Sequence, residues 1–138
     1  MGILKNSIIA GLIAGFFAGI VATIIKISNF HDWFSITPYA YIPFNMHIIA
    51  QVEIIWHTVW GIIFGVFYAL FYNYISGIGV KKGIIYGLII WIIASFRFAV
   101  INAVYGYYQW LIPDALSGFF SIGITYGLVL GYLYKPSK

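Results

Sequence analysis

The 138-residue chain contains no cysteine and few charged residues. The lack of cysteine excludes disulfides, thiolate metal ligands and a cysteine nucleophile, although it does not fix the redox compartment. Charged residues make up 7% of the chain and hydrophobic residues 63%, whereas soluble domains have about 25% charged residues. Because a water-soluble fold could not cover its surface with so few charges, the composition predicts an integral membrane protein.

Recognisable catalytic motifs are also missing from the sequence. It has no phosphate-binding loop, no nucleophile elbow, no zinc-protease helix and no cysteine pair for haem attachment. The net charge of +4 comes from basic residues near predicted helix ends, which is typical of a topology signal and not of a nucleic-acid surface. The sequence therefore favours a non-enzymatic function, with no cofactor, no nucleic-acid partner and the lipid bilayer as its surroundings.

Four apolar stretches are long enough to cross a bilayer, which takes about 20 residues in a helix. They predict an all-α, four-helix membrane bundle in one domain over residues 1–138, with helices at about 7–27, 46–74, 83–104 and 115–134. Asn45 is predicted to cap the second helix, and Pro113 with Asp114 to open the fourth. The first stretch is too long for a typical signal peptide, so it is expected to remain as a helix.

Lysines indicate the orientation of the predicted bundle. An even number of spans places both termini and the middle loop on one side, which carries Lys5, Lys81, Lys82, Lys135 and Lys138. The opposite side has only Lys26, His31, Asp32 and Asp114 near helix ends. The positive-inside rule then predicts a multi-pass protein of the cell membrane with both termini in the cytoplasm. The two loops on the opposite side, 30–44 and 105–113, are aromatic and are expected to lie in the membrane interface.

The two halves of the chain resemble each other. Lys5-x-x-Ile-Ile-x-Gly-Leu-Ile recurs from Lys81, so that Gly11 aligns with Gly87, and residues 63–66 align with residues 125–128. The offset between the halves falls from 76 to 62 because the second outer loop is shorter. The pattern predicts a tandem repeat of a two-helix hairpin about an axis along the membrane normal. Chance similarity between helices rich in isoleucine and glycine is the alternative.

Small residues recur at every fourth position in each predicted helix, as in glycine zippers. Such stripes let helix backbones approach closely where lipid supplies no hydrophobic drive. The predicted packing glycines are Gly11, Gly15, Gly19, Gly61, Gly65, Gly123, Gly127 and Gly131. A stripe not used inside the bundle would serve a homo-oligomer or a partner membrane subunit.

Three ionisable residues inside the spans form the candidate site, because charges in a membrane are expensive and often functional. Glu53 and His57 are four residues apart on one face of the second helix. At about 1.5 Å per residue, the long side chain of Arg97 on the third helix can reach the same depth. We therefore predict a Glu53–Arg97 pair in the outer half of the membrane, with His57 and Asn102 beside it.

This polar cluster has three interpretations. It locks two helices together, because neither charge can be left alone in lipid; or it binds a proton, an ion or a small solute; or it holds a metal. In the last case Glu53 and His57 would need His47 or His31 as a third ligand. His47 lies about 80° from His57 around the helix axis, and Arg97 would repel a cation, so this geometry is poor.

The stretch Trp56–Ala69, followed by a turn and the stretch Lys82–Leu88, resembles the YagU-like family of bacterial inner-membrane proteins. His57 enters an apolar, small-residue helix, Tyr68 follows eleven residues later, and a Gly-Leu-rich helix comes next. The resemblance covers about the middle half of the chain and implies a four-helix membrane architecture. The further histidine that the family has on its fourth helix is replaced here by phenylalanine, so no paired-histidine function is implied.

Two functional hypotheses follow from the sequence. The first is a small membrane protein with an outward-facing buried polar site, acting as a minimal transporter or a channel-like oligomer for a proton, an ion or a small solute. The alternative is a non-catalytic accessory subunit of a larger membrane complex of the respiratory or oxidase type.

Overall fold

The computed structural model describes residues 2–27, 46–104, 106 and 111–136, and every regular element in these ranges is helical. Four helices are long and apolar enough to cross a membrane, which confirms the prediction of an all-α chain with four such helices. The elements are α1 (Gly2–Ile27), α2 (Met46–Phe71), α3 (Gly79–Val104), α4 (Leu111–Gly118), a π-helical segment (Phe119–Tyr126) and α5 (Gly127–Leu133). The last three run on without a break, and we call them the C-terminal helix.

The observed helix ends differ from the expected ones in places that local chemistry explains. A 3₁₀ turn over Tyr72–Tyr74 extends α2 to the predicted end. Helix α3 begins at Gly79, before the predicted residue 83, after a short reversal in which Gly77 and Gly79 have φ of 99° and 49°. These positive φ values favour glycine, since a Cβ there is sterically costly. The C-terminal helix begins before Pro113, which is tolerated in a first turn because its missing N–H needs no partner there.

Glycines bring α1 and α2 into backbone contact. A Cβ atom added to Gly11 would meet the carbonyl oxygen of Gly61, and one added to Gly65 would lie 2.8 Å from the Cα of Gly11. Further along, a Cβ on Gly15 would lie 3.0 Å from the Cα of Gly61, and one on Gly19 would lie 2.7 Å from the Cα of Ile54. Any side chain at these positions would push the two helices apart.

A second glycine seam joins α3 to the C-terminal helix. A Cβ added to Gly83 would meet the carbonyl oxygen of Gly127, and one added to Gly87 would lie 2.6 Å from the carbonyl oxygen of Gly123. A Cβ added to Gly131 would lie 2.9 Å from the Cα of Gly83. Gly123 itself differs, because a Cβ there would meet only side chains, at 3.3 Å or more.

The four helices form a trough and not a closed ring. Helix α1 packs along α2 on one side and against the C-terminal helix on the other, and the C-terminal helix packs against α3. Within the described part of the chain, α2 and α3 make no comparable backbone contact. Helices α2 and α3 therefore form the two walls, while α1 and the C-terminal helix form the floor.

Tyrosines fill one end of this trough, where α1 and α3 begin and α2 and α5 end. We call it the lysine end, because Lys5, Lys81, Lys82 and Lys135 lie there. The fully buried ring of Tyr68 lies 5.0–5.4 Å from the rings of Tyr72, Tyr86 and Tyr134, between centroids. We call Tyr68, Tyr72, Tyr86, Tyr126 and Tyr134 the tyrosine cluster.

Two of these phenols bridge the helices whose backbones stay apart. The hydroxyl of Tyr86 on α3 donates to the carbonyl oxygen of Phe64 on α2 at 2.8 Å. The hydroxyl of Tyr126, at the end of the π-helical segment, donates to the carbonyl oxygen of Gly61 at 2.9 Å. Long side chains with polar ends thus join α2 to its neighbours where glycines do not.

Lys82 has a structural role that its position in the sequence did not indicate. Its ammonium group donates to the carbonyl oxygen of Tyr72 at 2.7 Å and lies 3.9 Å from the centroid of the Tyr72 ring. The residue is buried, whereas Lys81 beside it is exposed. A cation at the carboxyl end of a helix satisfies its last carbonyl groups and complements the helix dipole, so Lys82 caps α2.

Candidate functional site

A cavity of about 220 Å³ lies between α2 and α3, next to the tyrosine cluster and away from the lysine end. Four elements contribute to it, since the trough has two walls and a floor. Its lining residues are Ala18 of α1; Trp56, His57, Trp60, Gly61 and Phe64 of α2; Ile90, Ile93, Ala94 and Arg97 of α3; and Ile122 and Tyr126 of the π-helical segment.

Aromatic rings form the α2 wall of the cavity. Trp56 and Trp60 meet edge to face with their centroids 5.7 Å apart, and Trp60 stacks on Phe64 at 5.4 Å. These residues recur at four-residue spacing, so they share one face of the helix. Aromatic contacts of this kind give a stiff wall with a large apolar surface.

The floor of the cavity includes a π-helical segment, which is rare in proteins and often occurs at functional sites. The wider turn appears in the side-chain bonding, since Thr125 Oγ1 donates to the carbonyl oxygen of Phe120, five residues earlier, at 2.8 Å. Ile122 and Tyr126 of this segment face the cavity. Tyr126 is almost completely buried, and together with Tyr86 and Tyr68 it separates the cavity from the lysine end.

His57 and Glu53 are in contact on α2. The Nδ1 atom of His57 lies 2.9 Å from the carbonyl oxygen of Glu53 and 3.5 Å from its carboxylate. Because a carbonyl oxygen can only accept, Nδ1 carries the hydrogen in this arrangement. Both side chains are about 15% exposed or less. His57 lines the cavity, whereas Glu53 is not part of the lining and lies one helical turn farther from the lysine end than His57.

Arg97 lies at the edge of the same cavity, on the opposite wall from His57. It is an exposed residue, and it follows Ile90, Ile93 and Ala94 along one face of α3. The cavity thus brings together two of the predicted site residues, His57 and Arg97. The Glu53–Arg97 pair stays a prediction, and the side chain of Asn102 lies outside the described part of the structure.

The metal hypothesis is likewise open. Among the side chains that the structure describes, no three histidine, aspartate or glutamate residues come together. The two candidate third ligands, His47 and His31, are not among those side chains. The aromatic loops at 30–44 and 105–113 and the Asn45 cap also lie largely or wholly outside the described residues, so those predictions stand as they were.

Sequence reasoning missed the parts of the site that carry no charge. It singled out ionisable residues and named only Tyr68 of the tyrosine cluster, as part of a family resemblance. The signal was available in part, since Tyr68 and Tyr72 are four residues apart, which predicts that they share one helix face. Within this cluster, the hydroxyl of Tyr68 is buried and has no hydrogen-bond partner in the described part of the chain.

Comparison with models of known protein families, with curated proteins and with solved structures gave no match. The resemblance of His57, Tyr68 and the helices around them to the YagU-like family therefore stays a prediction. The cavity itself is a mostly apolar space with a guanidinium group at its edge, an imidazole in its wall and phenols at one end.

Proposed function

We propose that this chain is a small integral membrane protein that binds a small solute in the cavity between α2 and α3. The observation that carries the proposal is the meeting of His57 and Arg97 in one mostly apolar cavity inside a bundle of four apolar helices. Cavities lined by apolar side chains with a few polar groups are the usual form of a small-molecule site. Polar residues at membrane depth are expensive, and they persist where they serve a site.

The proposed orientation places the lysine end in the cytoplasm and both termini there. Its support is that Lys5, Lys81, Lys82 and Lys135 lie at this end of the bundle, as the positive-inside rule requires. The cavity then lies in the outer half of the membrane. Because the chain has no cysteine, single introduced cysteines can be labelled with an impermeant maleimide. Ser76→Cys should react only after the cell membrane is opened, whereas Val104→Cys should react in intact cells. The reverse pattern would overturn this orientation.

We also propose that the two hairpins are copies of one unit that packs through a glycine zipper. The support is that aligned glycines make aligned contacts. Gly11 approaches Gly61 and Gly65, while Gly87, which aligns with Gly11, approaches Gly123 and Gly127, which align with them. Chance similarity of two glycine-rich helices does not require the same partners in both seams.

The tyrosine cluster favours a carrier over an open pore through the single chain. Tyr126, Tyr86 and Tyr68 fill the trough between the cavity and the lysine end, so a solute in the cavity has no open way onward through the described part of the bundle. Movement across the membrane would need these rings to shift. A channel-like oligomer would instead place its path between copies of the chain.

Flux into proteoliposomes tests the transport part of the proposal. A panel of proton, ion and small-solute gradients would be compared for the native chain and Glu53→Gln, which keeps the size of the side chain and removes its charge beside His57. We expect flux of one solute to fall at least tenfold. Equal flux in the two proteins would remove Glu53 from the mechanism, and no flux in either would limit the function to binding.

An accessory subunit of a larger membrane complex is the second candidate. What favours it is the uneven burial of the spans. In the most apolar stretch of each helix, 17% of α2 and 18% of α3 is buried inside the bundle, against 44% of α1. The walls of the trough thus offer a large apolar surface to a partner. Purification in a gentle detergent separates the candidates: larger partners in fixed ratio would contradict an autonomous transporter, and a homo-oligomer alone would contradict the accessory role.

A further inference from the structure

We infer that the ligand of the cavity is a single-chain amphiphile with an oxyanion headgroup, which enters sideways from the lipid between α2 and α3. The inference rests on the proposed function, because it presupposes that the cavity is a binding site. It adds the chemical class of the ligand and the route by which the ligand arrives. Four observations carry it: the apolar lining, the volume, the position of Arg97 and the open side of the trough.

The lining excludes a dehydrated ion as the main occupant. Of the twelve lining residues, only His57, Arg97 and the phenol of Tyr126 have polar side chains, and an ion stripped of water needs several polar partners. The volume of about 220 Å³ exceeds the roughly 150 Å³ of an apolar cavity that takes up benzene. The space therefore suits part of one hydrocarbon chain and is too small for the two chains of a typical membrane lipid.

Arg97 supplies the charge that a headgroup would recognise. A guanidinium group remains charged at all physiological pH values, donates five hydrogen bonds and matches the two oxygens of a carboxylate or phosphate. His57 offers a second polar group across the cavity. The carboxylate of Glu53 lies 3.5 Å from the Nδ1 atom of His57 and is not part of the lining.

The position of Arg97 along α3 gives the ligand the same orientation as a lipid. Arg97 lies seven residues before Val104 at the end of the helix, roughly 10 Å from it, and Ile90 lies roughly 10 Å deeper. A headgroup at Arg97 therefore sits near the membrane edge, while its chain extends past Ile93 and Ile90 towards Tyr126. A molecule from the outer leaflet would enter without turning over.

The open side of the trough provides the entrance. Helices α2 and α3 lack close backbone contact in the described part of the chain, and the tyrosine bonds that join them lie at the deep end of the cavity. At the shallow end, Trp56 is 52% exposed and Ile93 66% exposed, and both line the cavity. These exposed apolar edges would face lipid chains, so an amphiphile reaches the cavity without crossing water.

Quenching of tryptophan fluorescence tests the inference in nanodiscs of uncharged phosphatidylcholine. A dibrominated fatty acid should quench the cavity tryptophans with a saturable component, because bromine quenches on contact, and its methyl ester should bind at least tenfold more weakly. Trp56→Phe and Trp60→Phe combined should remove the saturable component, because both tryptophans line the cavity. Trp91→Phe should keep it, because Trp91 donates to the carbonyl oxygen of Ala115 and does not line the cavity. Ala94→Phe should abolish binding by filling the space.

Arg97 variants separate recognition of charge from folding. Arg97→Gln should weaken binding of the acid at least tenfold and leave the ester unchanged, and Arg97→Lys should restore part of the affinity. Unbrominated oleate or dodecyl phosphate should displace the acid, while inorganic phosphate should not. Displacement by inorganic phosphate, or by neither amphiphile, would overturn the inference.

The outcomes also distinguish this inference from the proposed function. If the acid and the ester bind equally and Ala94→Phe blocks both, the cavity is a site and only the oxyanion class is wrong. If neither shows a saturable component, both the ligand class and the cavity as a binding site are wrong.

Discussion

The two long sides of the bundle differ in how closely their helices approach. On one side α1 packs directly against the C-terminal helix, while on the other α3 and α2 stay apart and are joined by side chains. The first side has buried alanines on α1, at Ala10, Ala14 and Ala18. In the alignment of the two hairpins, Tyr86 and Ile90 of α3 take the places of Ala10 and Ala14. These larger side chains on α3 keep its backbone away from α2, and the space between the two helices contains the cavity.

A cavity can thus arise where two helix pairs of similar sequence pack unequally against each other. Both hairpins keep a glycine seam, so each is tightly built by itself. Only the contacts between hairpins differ, and there a change from alanine to tyrosine or isoleucine separates the backbones. Four sets of substitutions test this difference, each by measuring the free energy of unfolding in one fixed detergent.

The largest effect is expected from Ile90→Ala, which removes a buried side chain between the walls of the trough. Ile90 is 6% exposed, and its neighbour Ile89 is 45% exposed. Shortening a buried isoleucine costs about 2–5 kcal/mol of unfolding free energy, so we expect a loss in that range, with Ile89→Ala close to the native protein. Equal losses for the two variants would show that Ile90 does not support the open side.

The glycine seams should be the next most sensitive feature. Gly11→Ala places a methyl group against the carbonyl oxygen of Gly61 and should cost about 1–3 kcal/mol, as overpacked cores do. Gly123→Ala is the matched control, since its methyl group would meet only side chains that can move. If Gly123→Ala proved as damaging as Gly11→Ala, close backbone approach would not be what the seam depends on.

Lys82→Met should weaken the lysine end by roughly 1.5 kcal/mol, the lower range for a hydrogen bond from a charged group. The variant keeps most of the apolar stem and removes the ammonium group from the Tyr72 carbonyl oxygen and ring. Lys81→Met should change the unfolding free energy little, because Lys81 is exposed. A similar loss in both variants would indicate a general charge effect and not a cap on α2.

The smallest effects should have opposite signs within the tyrosine cluster. Tyr126→Phe loses the hydrogen bond to Gly61 and should destabilise the chain by about 1 kcal/mol. Tyr68→Phe removes a buried hydroxyl that has no partner in the described residues, so it should leave stability unchanged or raise it by about 1 kcal/mol. A loss for Tyr68→Phe as large as that for Tyr126→Phe would mean that the Tyr68 hydroxyl is satisfied in the membrane.

Much of the fold was predictable because the hydropathy and length of each apolar stretch can be read directly from consecutive residues. The four apolar stretches gave the helices to within a few residues, and the glycine spacing picked out Gly11, Gly15, Gly61 and Gly65, whose backbones are in contact. The candidate site was predictable only in part. His57 and Arg97 stood out because they are ionisable residues in apolar helices, whereas Trp60, Ile90 and Tyr126 look like any other apolar lining residue.

Local composition and a fixed helical period are sufficient to specify that four apolar helices form and that small residues mark the faces on which pairs of them pack. Which faces meet across the two hairpins depends on side-chain volumes brought together from distant positions, such as Ala14 beside the C-terminal helix and Ile90 beside α2. For the same reason, the separation of the walls, the capping of a neighbouring helix by Lys82 and the cavity bordered by His57 and Arg97 are visible only in the folded chain.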